Sequence, residues 1–177
     1  KTWLCDKSAY GHTDNAPTEV DIPHNWDDYY GYRQLTHGNL HGTAMYEKTF
    51  TLDNSQFPIS DSSFGKRYFL RFEGVGTYAT VTLNGKDFGR HPVGRTTLTL
   101  DVTEALKPGE NRLVVKAEHP EMIADMPWVC GGCSSEWGFS EGSQPLGIFR
   151  PVVLEATDAI RIEPFGVHIW NDDKAGT

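Results

Sequence analysis

Cysteine is scarce in this sequence, with Cys5, Cys130 and Cys133 the only three in 177 residues. So small and odd a set excludes a disulfide scaffold, and a chain of this length can bury a core without covalent staples. Cys130-Gly-Gly-Cys133 has the Cys-x-x-Cys spacing of zinc and redox sites. A structural zinc site needs a second ligand pair, and none exists. A redox motif opens a helix, and the run from Pro127 to Gly142 is too rich in Gly and Ser for one. The pair is therefore read as two incidental thiols, with a local disulfide or a metal site as the alternatives. Positive charge is short as well. Sixteen basic residues against 24 acidic ones leave a formal charge of -8, which argues against nucleic acid and against docking on anionic membranes. No apolar run approaches the roughly 18 residues of a membrane-spanning helix. Lys1 to Asp6 lacks the apolar stretch of a signal peptide. With no initiator Met, the chain reads as a mature piece of something longer, and export stays open.

The usual signatures of catalysis are absent too. No Gly-x-Ser-x-Gly elbow supports a nucleophile. His12, His24, His37 and His41 crowd the first third of the chain without His-x-His or His-Glu-x-x-His spacing, so they read as turn or solvent residues rather than metal ligands. Glu136 and Glu141 lie five apart in an aromatic loop, but a lone carboxylate pair without a supporting shell rarely makes a glycosidic acid/base site. Gly74-Val75-Gly76 follows a strand and opens no helix, so it marks a bulge or turn rather than a phosphate cradle.

What the chain does have is period-two alternation. Tyr46, Phe50 and Leu52 share a face interrupted only by Lys48. Tyr68, Leu70 and Phe72 share another. Ala79, Val81 and Leu83 alternate with Tyr78, Thr80 and Thr82, Leu98 and Leu100 with Thr97 and Thr99, and Leu113, Val115 and Ala117 with Arg112, Val114, Lys116 and Glu118. Val152 and Leu154 follow Ile148 in phase. These are half-buried strands. Asn84-Gly85 is a two-residue hairpin signal, and Lys107-Pro108-Gly109 is a turn. Thr103 to Leu106 suggests one helical turn capped by Thr103 or Asp101. No stretch sustains a 3.6 period, so the expected class is all-β. Residues 9–45 and 119–147 break the strand rhythm and read as long loops. They hold Trp26, Tyr29, Trp128, Trp137 and Phe139. Such loops are usually functional, and aromatic rings there either fill satellite cores or stack on sugar rings. Ala159 to Pro164 and Gly166 to Trp170 are two further strand-like runs.

Five stretches in order carry a resemblance. Asp21-Ile22-Pro23-His24-Asn25-Trp26 is similar to the Pro-His-Asp-Trp signature near the start of glycoside hydrolase family 2 enzymes. Tyr46 to Phe50 resembles their Tyr-Arg-Lys-Thr-Phe strand. Arg67 to Gly76 with Tyr78 to Gly89 resembles their Leu-x-Phe-Glu-Gly-Val…Val-x-Leu-Asn-Gly block. Asp101-Val102-Thr103 through Asn111 to Lys116 resembles their Asp-Val-Thr…Asn-x-Leu-x-Val block. Gly147 to Val152 resembles their Gly-Ile-Tyr-Arg-x-Val strand. The match runs from about residue 20 to 157, and it is to the N-terminal sugar-binding domain, a jelly-roll β-sandwich of the galactose-binding type.

The resemblance implies a domain over residues 1–158, with 159–177 as linker and start of an immunoglobulin-like β-sandwich. It also implies that the catalytic acid/base and nucleophile lie in a TIM barrel, which about 250 residues with eight helices would build and this chain cannot. The parent would be a retaining β-glycosidase of β-galactosidase type, and this chain alone would hydrolyse nothing. In family 2 β-galactosidases, loops of this domain help hold the terminal sugar. The matching positions here are His41, where the pattern has Asn, and Glu141, where it has Asp. His41 departs from the pattern and puts galactose specificity in doubt. Trp137 joins them as an aromatic candidate, and Arg150 matches the family in a structural role. The implied partners are a carbohydrate with a terminal β-linked sugar and the remaining domains of the polypeptide, with a homo-oligomer also open. No organic cofactor is implied, although a calcium or other cation in a loop is admitted. Family habit suggests a bacterial periplasmic or extracellular setting. Two rival readings are an autonomous carbohydrate-binding module and a purely structural spacer.

Overall fold

The computed structural model describes residues 3–9, 17–25, 42–53, 65–94, 96–120 and 146–170. They form nine strands: β1 (Trp3–Ala9), β2 (Thr18–Val20), β3 (Gly42–Leu52), β4 (Arg67–Phe72), β5 (Val75–Leu83), β6 (Lys86–Gly94), β7 (Leu98–Asp101), β8 (Gly109–His119) and β9 (Val152–Thr157). All strand pairings among the described residues are antiparallel. Six strands make one sheet in the order β2-β1-β3-β8-β5-β6, and three make a second in the order β7-β4-β9. No helix occurs among the described residues. The expected all-β sandwich is what the sequence builds.

The alternation explains the layering. Ala44 and Tyr46 of β3, Val81 and Leu83 of β5, and Leu113, Val115 and Ala117 of β8 point inward from the large sheet, all at 2% exposure or less. Tyr68, Leu70 and Phe72 of β4 and Leu100 of β7 meet them from the small sheet in one apolar cluster. The outward face of the large sheet is polar. There Arg112 donates to both carboxylate oxygens of Glu47 at 2.7 Å each. Burial of one face, with the other wetted, is what period two produces in an antiparallel sheet.

The turns follow their chemistry. Asn84 and Gly85 take φ of 52° and 86°, the left-handed pair that a tight hairpin needs. Asn84 Nδ2 also donates to the Ala105 carbonyl and to Asn111 Oδ1. Asn111 is fully buried. Its Oδ1 accepts from Lys107 N, and its Nδ2 donates to the carbonyls of Lys107 and Gly109, so one side chain closes the turn before β8. At Thr103 the expected cap is Asp101, whose Oδ1 accepts from the Thr103 amide at 3.1 Å and hydroxyl at 2.6 Å.

Two expectations need correction. The region 9–45 is not one loop, because Thr18–Val20 pairs with β1 and Gly42–Met45 belongs to β3. Neither stretch alternates apolar with polar residues. Their strand state comes from main-chain pairing with neighbours, which no side-chain pattern announces. Among the described residues, the strand-like run 159–164 and its companion 166–170 form no ladder, having the alternation but no partner strand.

Candidate functional site: the rim of the sandwich

One end of the sandwich gathers polar side chains that the core would otherwise exclude. β3 begins there at Gly42, which pairs with His119 at the end of β8. Gly76 of β5 donates its amide to the Gly147 carbonyl at 3.0 Å. The turn at 22–25 docks on the same place. The His24 amide donates to the Ile148 carbonyl at 2.7 Å, and the Leu146 amide donates to Asn25 Oδ1 at 3.1 Å. Asn25, Gly42, Pro120 and Leu146 therefore all lie at this rim. These four residues border the sequence segments 26–41 and 121–145.

The side chains at the rim are held firmly. Tyr46 points inward in phase with Ala44 and is fully buried. Its Oη lies 2.8 Å from His24 Nδ1 in a hydrogen bond, with the two rings edge to face at 5.8 Å and 72°. Burial, and after it the neighbouring Cys5, push the phenol well above its ordinary range, against a small opposing pull from the Ile148 backbone. Tyr46 is thus a neutral hydrogen-bonding group at any physiological pH. A second pair lies nearby. His119, fully buried and in phase with Leu113, Val115 and Ala117, sits with Nδ1 2.5 Å from Thr77 Oγ1. A histidine at a core-facing position is costly unless it is bonded.

Asn25, Thr77 and His119 are rim residues that sequence reasoning gave no role, while His24, read there as a turn or solvent residue, is half-buried and bonded to Tyr46. His119 had a signal, since a polar side chain occupies a position that the alternation of β8 assigns to the core. Asn25 was quoted within a motif but given no role, and Tyr46 was read only as part of a strand's apolar face. The expected site residues His41, Glu141 and Trp137 lie outside the described residues, as do Glu136, Cys130 and Cys133. Among the described residues, no cluster of three or more His, Cys, Asp or Glu side chains could hold a metal.

A concave surface lies on the outer face of the small sheet. It is a groove of about 700 Å³ between Arg67, Phe69, Thr99 and Asp101 on the sheet and Arg161 and Phe165 on the segment that follows β9. Arg67 pairs with Asp101. Arg71 donates from Nε to Glu155 Oε1 at 2.7 Å and from Nη1 to Glu73 Oε1 at 2.6 Å. The Glu155 hydrogen bond, and then its charge, hold Arg71 more firmly protonated than usual.

Three kinds of comparison agree with this architecture. The family described as glycosyl hydrolase 2 galactose-binding domain-like matches residues 26–126. A β-glucuronidase of Bacteroides fragilis is 32% identical over 146 residues, which is 82% of this chain and 18% of the relative. A β-galactosidase of Bacteroides ovatus is 28% identical, covering 90% of this chain and 17% of the relative. Among solved structures, a Bacteroides uniformis β-glucuronidase is similar with a TM-score of 0.62 at 25% identity, over 88% of this chain and 17% of that one. The chain thus spans less than a fifth of the length of each of these proteins.

Proposed function

Because the chain belongs to the galactose-binding-like domains of glycoside hydrolase family 2, we propose that it is the non-catalytic sugar-contacting domain of a longer β-glycosidase. The chemistry would be carried by the rest of that polypeptide. The observation that supports this most is the rim. Asn25 and Gly42 border the segment with His41, and Pro120 and Leu146 border the segment with Trp137 and Glu141. All four borders meet at one end of the sandwich. Loops rooted on a rigid sheet end are the usual carriers of binding residues.

In this reading Glu141 accepts hydrogen bonds from hydroxyls of the terminal sugar, His41 contributes a second polar contact, and Trp137 stacks on the sugar's apolar face. A carboxylate at Glu141 also suits a loop-bound cation. Relatives bear the names of both β-glucuronidases and β-galactosidases, so the substrate class is a glycoside with a terminal β-linked hexose or hexuronate. Site fragments supply only part of the contact. Titration calorimetry of the 177-residue chain with galactose and with glucuronate should therefore give no saturable heat below about 1 mM, the level that corresponds to roughly -4 kcal/mol. Tighter binding by the chain alone would turn the reading into an autonomous carbohydrate-binding module.

A further inference from the structure

Residues 146–151 belong to no strand, yet Leu146 and Ile148 are fully buried. A buried main chain without a ladder must find its hydrogen bonds elsewhere. Here they are found one by one. The Gly76 amide donates to the Gly147 carbonyl at 3.0 Å, the Glu73 amide to the Pro151 carbonyl at 3.1 Å, and the His24 amide to the Ile148 carbonyl at 2.7 Å. These are main-chain bonds, which need no particular side chain. Leu146 differs. Its amide donates to a side chain, Asn25 Oδ1, at 3.1 Å. The hold on the amide that ends segment 121–145 is thus written into residue 25.

Asn25 stands at a junction. It immediately precedes Trp26, where the segment with His41 begins, and it holds Leu146, where the segment with Trp137 and Glu141 ends. The bond joins residues 121 apart in sequence, so it ties one border of each segment to the other. The neighbour His24 is anchored twice, by its amide on Ile148 and by its ring on the buried Tyr46, which keeps the turn in place. The Leu146 side chain lies in the core cluster, so packing seats it whatever Asn25 does. What the Asn25 bond adds is the orientation of the peptide that leads back into the segment.

We propose that Asn25 is a positioning residue for sugar recognition. By accepting from the Leu146 amide it sets the direction in which the segment with Glu141 meets the rim, and through it the reach of that carboxylate toward the sugar. The proposal rests on the reading of Glu141 as a sugar contact. Misplacing a contacting group by about 1 Å from a distance can cost on the order of 100-fold in rate, so one anchoring bond is enough to matter. The geometry demands only an acceptor at this position. Asp supplies one at the same reach. Ala supplies none, and Ser offers one on a shorter arm.

Steady-state kinetics of the full-length polypeptide test this, with aryl β-glucuronide and β-galactoside substrates and below the melting temperature of every variant. Asn25→Ala should lower kcat/KM for the preferred substrate by about 5- to 50-fold, divided between kcat and KM as it is in Glu141→Gln. Asn25→Asp should stay within about 2-fold of the unsubstituted protein, because the acceptor is kept. Asn25→Ala added to Glu141→Gln should cost no more than about a further 2-fold, since residues that act as a unit are not additive. A merely structural Asn25 would lower the melting temperature and show none of this pattern. Unchanged kinetics in Asn25→Ala overturn the proposal. So do equal losses in Asn25→Ala and Asn25→Asp. If Asn25→Ala fails to fold, Asn25→Ser is read by the same criteria, and failure of both to fold makes the residue structural and overturns the proposal as well. Glu141→Gln keeps the two readings apart. Where it alone lowers kcat/KM, a silent Asn25→Ala or full multiplication of the two losses overturns the positioning alone. Where it is silent while Asn25→Ala loses and Asn25→Asp rescues, the role given to Glu141 is overturned alone.

Discussion

At the scale of single residues, buried polar side chains do more to define this molecule than its ion pairs do. Asn111 makes four hydrogen bonds from a fully buried position. Asn111→Ala would strand the Lys107 amide and two carbonyls, and should cost roughly 2–4 kcal/mol by urea denaturation. By contrast, the exposed Glu47–Arg112 pair should change stability little when either partner is replaced. Tyr46 makes a prediction in pH. Its folded phenol is raised above the ordinary value, so its contribution is fully present below about pH 10, the unfolded value. Above that the unfolded chain ionises first, and stability is lost as pH rises. Tyr46→Phe should lower the melting temperature at pH 7 and flatten the decline in stability on the alkaline side. An alkaline decline as steep as in the unsubstituted chain would show that other groups cause it. Asp101 acts on the opposite limb. Burial opposes its charge, but the Thr103 hydroxyl, the Arg67 guanidinium and the Thr103 amide outweigh burial and lower its carboxyl. Its contribution is present above the ordinary carboxylate range and is lost as pH falls below it.

At the scale of elements, the sequence was legible where burial imposes a pattern. β4, β5 and β8 lie in the interior of their sheets or beside the core, and their alternation named them residue by residue. β1, β2 and β6 were not named. β2 and β6 are edges of the large sheet, where only part of one face is covered, and β6 carries Pro92, which is tolerated at an edge but breaks a pattern. β1 buries Trp3 and Cys5, too short a repeat to distinguish from a tail. Turn chemistry carried more information per residue. The contrast among glycines is testable. Gly85 has φ of 86° and open space around it, so Gly85→Ala should cost about 1–2 kcal/mol from backbone conformation alone. Gly74 has no such φ, but a Cβ there would stand 2.8 Å from the Phe149 ring, so Gly74→Ala should cost about 1–3 kcal/mol by overpacking. Gly65 has neither constraint, and Gly65→Ala should be close to neutral in the same melting experiment.

At the scale of the whole molecule, the family was legible because five short stretches occur in the right order, and the matched family region over residues 26–126 contains the middle three of them. The site was legible only in outline. His41 and Glu141 follow from position within the resemblance, and Trp137 from the aromatic content of its segment, not from any spacing that physics requires. The rim that borders their segments was invisible in sequence, because His119 and Thr77, or His24 and Tyr46, meet only after the strands pair. The two chemistries also separate at this scale. One end of the sandwich borders the candidate sugar-contacting segments, and the outer face of the small sheet leads to the strand-like runs after β9.

The central claim is that this domain contributes to sugar recognition without performing the chemistry. Its most direct test is the steady-state kinetics of Glu141→Gln in the full-length polypeptide, with aryl β-glucuronide and β-galactoside substrates and a melting curve of the same variant. For the preferred substrate kcat/KM should fall by about 10- to 100-fold, a loss of roughly 1.4–2.7 kcal/mol in transition-state binding, while the melting temperature is unchanged. Unchanged kinetics with either substrate would contradict it and leave the domain as a structural spacer.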